Sequence, residues 1–191
     1  MPKEKVNCLT NNCSKCNLKV MSELHIIPFE EGTAETKKLF SYFLHNAPNI
    51  ESAHSKLIRP DLHDSIFAMM LESRHYAYKE FCWANAVIED ELDKGFLNGD
   101  ALCLKCKRFV CKKKKTEKNK PRETDLDCFL RHIRNAIAHG GVYYCHSGNK
   151  IHIVFEDQNP SGKISARIVC IKADLEYWKS ILSDKRYYNE K

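Results

Sequence analysis

The chain has 191 residues, of which 43% are hydrophobic and 29% charged, with a net charge of +6. That balance describes one globular domain with at most a small appendage, long enough to bury a core. No apolar run approaches the length of about 18 residues that a membrane span needs, and Met1-Pro2-Lys3-Glu4-Lys5 leads into polar sequence rather than a secretory signal. Ten cysteines in such a chain are expected as thiols, free or on metal, in a reducing cytoplasm rather than as the disulfides of a secreted domain.

In chain order, residues 1–22 form an arm that carries Cys8, Cys13 and Cys16 without clear periodicity. Residues 34–46 read as a helix capped near Thr33, with Leu39, Phe40, Phe43 and Leu44 inward and Pro48 stopping it. The apolar spacing from Leu62 through Met70, Ala77 and Phe81 to Leu92 predicts one long helix over about residues 61–94, ended by Gly95. Residues 95–122 read as an insertion, first cysteine-rich and then basic. A helix follows over 124–139. Ile151–Phe155 and Ile164–Ile171 alternate around the turn formers 157–162 and predict a β-hairpin. A short helix over 174–182 and a polar tail at 184–191 complete the chain. The fold class is therefore mainly α, a helical domain over 33–183.

The helix at 124–139 carries the chemistry. Thr124-Asp125-Leu126-Asp127 reads as a capping box, and Leu126, Phe129, Leu130, Ile133 and Ile137 form one apolar stripe. At about 100° per residue, Arg134 stands near 80° from Leu126, Arg131 near 140°, Asn135 near 180° and His139 near 220°. His132, near 240°, flanks this fan at the position of a surface residue. Gly140 and Gly141 end the helix directly after His139, where a left-handed residue is wanted. Arg134 supplies a permanent cation that forks onto phosphate, and His139 supplies an imidazole able to move a proton near neutral pH. The two side chains diverge by about 140°, so one helix cannot easily aim both at one phosphate. A second copy related by a two-fold axis would bring the polar faces together across a cleft.

Phe129 through Gly140, with Arg134-Asn135-x3-His139 at its heart, resembles the signature helix of the HEPN superfamily (higher eukaryotes and prokaryotes nucleotide-binding domains). The resemblance extends over roughly residues 34–183, and many members likewise continue through a β-hairpin to a terminal helix. It implies a helical bundle, a homodimer with a composite site, and RNA cleavage without metal. Arg134, Asn135 and His139 would be the catalytic residues. The attacking group would be the RNA's own 2′-hydroxyl, leaving a 2′,3′-cyclic phosphate. The chain departs from the toxin subgroup that ends its motif in His-x-Tyr, because His139 is followed by Gly140-Gly141.

Two further patterns bear on partners and cofactors. Residues 105–122 hold ten lysines and arginines against Glu117 alone, a local charge of +9 in a chain of +6. Lys112, Lys113, Lys114 and Lys115, with Arg131 on the helix, are the expected RNA-binding residues. Cys13-x2-Cys16 and Cys103-x2-Cys106 have the local spacing to close a four-cysteine zinc site, with Cys8 and Cys111 as substitutes. Zinc there would be structural, and the chemistry itself needs no cofactor. The leading reading is a metal-independent, homodimeric endoribonuclease with a toxin or defence role, working in the cytoplasm on RNA. Whether an antitoxin or other regulatory partner accompanies it is not written in the sequence. The alternative is a non-catalytic dimeric module that binds nucleotide or RNA, with zinc as a stabiliser. A zinc-dependent adaptor built on the cysteine insertion is the third reading.

Overall fold

The computed structural model describes residues 26–28, 32–48, 56–81, 107–112, 118, 122–147, 150–162 and 164–188. Four α-helices cover one six-stranded sheet among these residues. The helices are α1 (Ala34–His45), α2 (His63–Leu71), α3 (Asp125–Ala138) and α4 (Lys172–Leu182). The strands are β1 (Ile26–Pro28), β2 (Ala77–Phe81), β3 (Arg108–Lys112), β4 (Val142–Ser147), β5 (Lys150–Gln158) and β6 (Ile164–Cys170). The sheet order is β1-β4-β5-β6-β3-β2, antiparallel throughout except for the parallel pair β2–β3.

The mainly helical domain expected from the sequence is present, with the hairpin after the motif helix and the short terminal helix. The hairpin, β5–β6, is the centre of a wider sheet that the alternation at 151–171 did not reveal. α1 forms where expected, with Thr33 Oγ1 accepting from Thr36 N–H at its N-terminus. Leu39, Phe40 and Phe43 are buried, and Leu44 is half-buried.

The single helix expected over 61–94 is not formed in its described part, 61–81; residues 82–94 lie outside the described residues. α2 ends at Leu71, a 3-10 turn follows over Glu72–Arg74, and His75 takes φ 56 in the left-handed region. The chain then extends into β2, whose register against β3 runs from Ala77–Arg108 to Phe81–Lys112. Ala77 and Phe81 continue a helical spacing from Met70, yet the backbone here is extended, and Tyr76 and Tyr78 pack against the core. Over so short a window an apolar pattern suits either period, and pairing with a partner strand decides it. That partner came from the stretch read as a basic insertion: Phe109 and Cys111 are fully buried on β3.

α3 is the hub. It lies along β5, touches β3, and receives α1 and α2 on its outer side, while α4 packs on α1, α2 and β5. Its stripe residues Leu126, Phe129, Leu130 and Ile133 are buried. Phe129 meets Trp178 and Phe109 edge-on, each with ring centroids 4.9 Å apart, and Trp178 Nε1 donates to the Met70 carbonyl at 3.0 Å. These rings exclude water around the base of the motif helix and fix its roll.

Candidate active site

The motif helix begins and ends as its sequence dictates. Thr124 Oγ1 accepts from Asp127 N–H at 3.2 Å and donates to Asp127 Oδ2 at 2.8 Å. At the other end Gly141 N–H donates to the Ala136 carbonyl at 2.7 Å and Gly140 N–H to the Ile137 carbonyl at 3.4 Å, a Schellman termination around His139. Gly140 has φ 73, the left-handed conformation this motif requires. Gly141 is needed for a different reason: a Cβ there would stand 2.1 Å from the Glu156 carbonyl oxygen. Its own carbonyl accepts from Glu156 N–H at 2.7 Å, which extends the β4–β5 ladder to the helix end.

The next residue on β5, Asp157, reaches the polar side of α3. A register shift between Asp157 and Gln158 interrupts the pairing of β5 with β6; such irregularities re-aim a side chain. Asp157 is buried, and its Oδ2 accepts from His132 Nδ1 at 2.6 Å and from Asn135 Nδ2 at 3.2 Å. Arg131 Nη1 lies 3.8 Å from the same oxygen. The fan of polar residues is thus no open surface, because β5 closes over part of it. His132, which the wheel places with surface residues, is 1% exposed.

Burial works to lower the His132 pKa, but its bonds to Asp157 and Cys128 outweigh that and leave it raised. Burial likewise works to raise the Asp157 pKa. The bonds from His132 and Asn135 prevail, with Arg131 adding to them, and leave it lowered.

Arg131 and Arg134 have different fates. Arg131 donates through Nε and Nη2 to the two oxygens of Glu123, at 2.5 and 2.9 Å, and its side chain is only 17% exposed. The expected RNA-binding arginine is therefore committed inside the protein. Arg131→Ala should cost about 2–3 kcal/mol, because Glu123 and Asp157 would lose a largely buried counter-charge. The corresponding fall in melting temperature is roughly 4–12 °C for a chain of this size. Thermal denaturation measures it, and an unchanged melting point would refute the structural role.

Arg134 is half-buried, its Nε is shielded from solvent, and that atom has no hydrogen-bond partner among the described residues. His139 is exposed at the helix end. Of the three expected catalytic residues, the fold thus ties Asn135 to Asp157, caps the helix at His139, and leaves Arg134 without a described carboxylate.

The basic block is also less free than its composition suggests. Lys107 Nζ donates to buried Asp174 at 2.8 Å, and Arg122 Nη2 to Glu80 at 2.9 Å. Lys112 ends β3. Lys113, Lys114 and Lys115, like the zinc candidates Cys13, Cys16, Cys103 and Cys106, lie outside the described residues.

The family model described as HEPN pEK499 p136 matches residues 1–185. The chain belongs to this HEPN family. The match takes in the cysteine-bearing arm and the stretch read as an insertion, so both fall within the family's own span. No curated protein and no solved structure matches. In this HEPN domain no helix among the described residues is long and apolar enough to cross a membrane. The Asp157 contact could not be read from the motif. The sequence places Asp157 among the turn formers after Phe155, whereas β5 runs on through Gln158 and carries Asp157 as a strand residue.

Proposed function

We propose that this HEPN domain is a metal-independent endoribonuclease with a toxin or defence role in the cytoplasm. In this reading two copies pair their α3 helices about a two-fold axis and RNA enters the cleft between them. His139 exchanges protons with the 2′-hydroxyl and the leaving 5′-oxygen. Arg134 stabilises charge gathering on the phosphate. Asn135, held by Asp157, orients one of these groups. The lysines at 112–115 grip the backbone, and the chemistry itself needs no cofactor.

The observation that carries the reading is the contrast on one helix. Arg131 is neutralised by Glu123, whereas Arg134, three residues on, keeps a shielded Nε with no described partner. The half-buried Arg134 has no carboxylate partner among the described residues, and a phosphate in a cleft between two copies would be the anion that meets its guanidinium.

The deciding experiment incubates purified protein with labelled RNA in EDTA and analyses the ends. Cleavage with 2′,3′-cyclic phosphate and 5′-hydroxyl termini supports the reading. RNA or nucleotide binding without cleavage leaves the non-catalytic HEPN module instead. The dimer has its own test: light scattering at micromolar concentration should give the mass of two chains. Mixing Arg134→Ala with His139→Ala protein should restore some cleavage if each cleft draws the two residues from different copies. A one-chain mass would sink the composite site.

A further inference from the structure

We propose that Cys111, Cys128 and His132 form a structural zinc site that fastens β3 to the motif helix. One ligand atom from each lies within 4.8 Å of the others, and all three residues are buried. Cys128 and His132 stand four residues apart on α3, so their side chains share one face. Cys111 comes from β3.

The spacing suits a shared ion. Cys128 Sγ is 3.5 Å from Cys111 Sγ. Two thiolates each about 2.3 Å from a tetrahedral zinc stand roughly 3.7 Å apart, whereas a disulfide requires about 2.05 Å. Asp157 on His132 Nδ1 is the carboxylate–histidine pairing that orients a metal-bound imidazole and leaves Nε2 for the metal. Arg131 spans the site, with Nη2 3.2 Å from Nε2 and donating to Cys128 Sγ at 3.7 Å, and Nη1 3.3 Å from Nδ1. The Lys112 carbonyl, 3.3 Å from Nε2, lies within the span of one coordination shell.

Two thiolates and one divalent ion sum to zero, so the filled site adds no net charge to the core. The bland alternative is a thiol pair sharing a weak hydrogen bond in an apolar interior. This site shares no residue with the Cys13, Cys16, Cys103 and Cys106 set, and it does not depend on the ribonuclease reading.

The test is cobalt(II) and zinc binding by the full-length reduced chain. Cobalt(II) should give a sulfur-to-metal charge-transfer band. The band should persist in Cys13→Ala/Cys16→Ala protein and disappear when Cys128→Ala or Cys111→Ala is added to that protein, in variants that retain their helical circular dichroism. X-ray absorption at the zinc edge of the Cys13→Ala/Cys16→Ala protein should count two sulfurs, a measurement that needs neither core variant to fold. Three results would each overturn the site: an arm variant with Cys128→Ala added that keeps its full metal and band, a four-sulfur shell in the arm variant, or an arm variant that takes up no metal at micromolar zinc.

Discussion

His139→Ala should lower RNA cleavage by roughly 10²-fold or more, the usual contribution of a general acid–base, and leave RNA binding nearly intact. His139 is exposed at the C-terminus of α3 and its N–H closes the helix onto the Asn135 carbonyl, a backbone contact that alanine keeps. The loss should therefore fall on the chemical step and not on folding. Arg134→Ala should cut cleavage at least as deeply and weaken binding as well, because a fixed cation touches the phosphate in the ground state and the transition state alike. DNA offers no 2′-hydroxyl, so it should be bound through the lysines but not cut. RNA binding should fall steeply with added salt as counterion release loses its advantage. The measurements are single-turnover cleavage of labelled RNA and a salt titration of binding. If His139→Ala cleaves as fast as the parent chain, the catalytic reading fails and the binding module replaces it.

The parts of this fold that were legible in the sequence share a local cause. α3 announces itself because its cap, its stripe and its terminating glycines lie within eighteen consecutive residues, and each acts on its neighbours. α1 and the β5–β6 hairpin are readable for the same reason. β2 and β3 are not, because their identity rests on pairing with each other and with β6 across the sheet. The helical spacing that runs from Met70 through Phe81 is broken by a left-handed His75, a residue that carries no strong stop signal.

The candidate site divides along the same line. The sequence assigns both Arg131 and Arg134 to phosphate, the first as an RNA-binding residue and the second as the catalytic cation. What separates them is Glu123, eight residues before Arg131 and outside the helix, whose position only the fold supplies. Asp157 is the sharper case. It meets Asn135 across a register shift in β5, and a one-residue change of register would send it to the other face of the sheet.

Gly141→Ala should destabilise the protein by at least about 3 kcal/mol, at the upper end of what an inserted methyl group does in a packed interior. The added Cβ would stand 2.1 Å from the Glu156 carbonyl oxygen and 3.2 Å from its carbon, and both belong to backbone that cannot rotate away. Relief requires the helix end and β5 to separate. That separation strains two bonds of 2.7 Å, Gly141 N–H to Ala136 and Glu156 N–H to Gly141. It also draws Asp157, the next residue along, away from Asn135 and His132.

Gly140→Ala is the control. Nothing lies within 4 Å of its Cβ position, so the cost is that of a left-handed alanine at φ 73, about 1 kcal/mol. Thermal melts should therefore rank the parent above Gly140→Ala and Gly140→Ala well above Gly141→Ala. At roughly 2–4 °C per kcal/mol, the second variant should melt some 6–12 °C below the parent. Amide exchange at Glu156 should quicken in Gly141→Ala protein alone, because that N–H is the one the clash pulls from its acceptor. RNA cleavage should fall with it even though His139, Arg134 and Asn135 are all present, since the strand that orients Asn135 has moved. Equal melting points for the two variants would mean that helix and strand yield to a methyl group, and the junction would not be the rigid support this site needs.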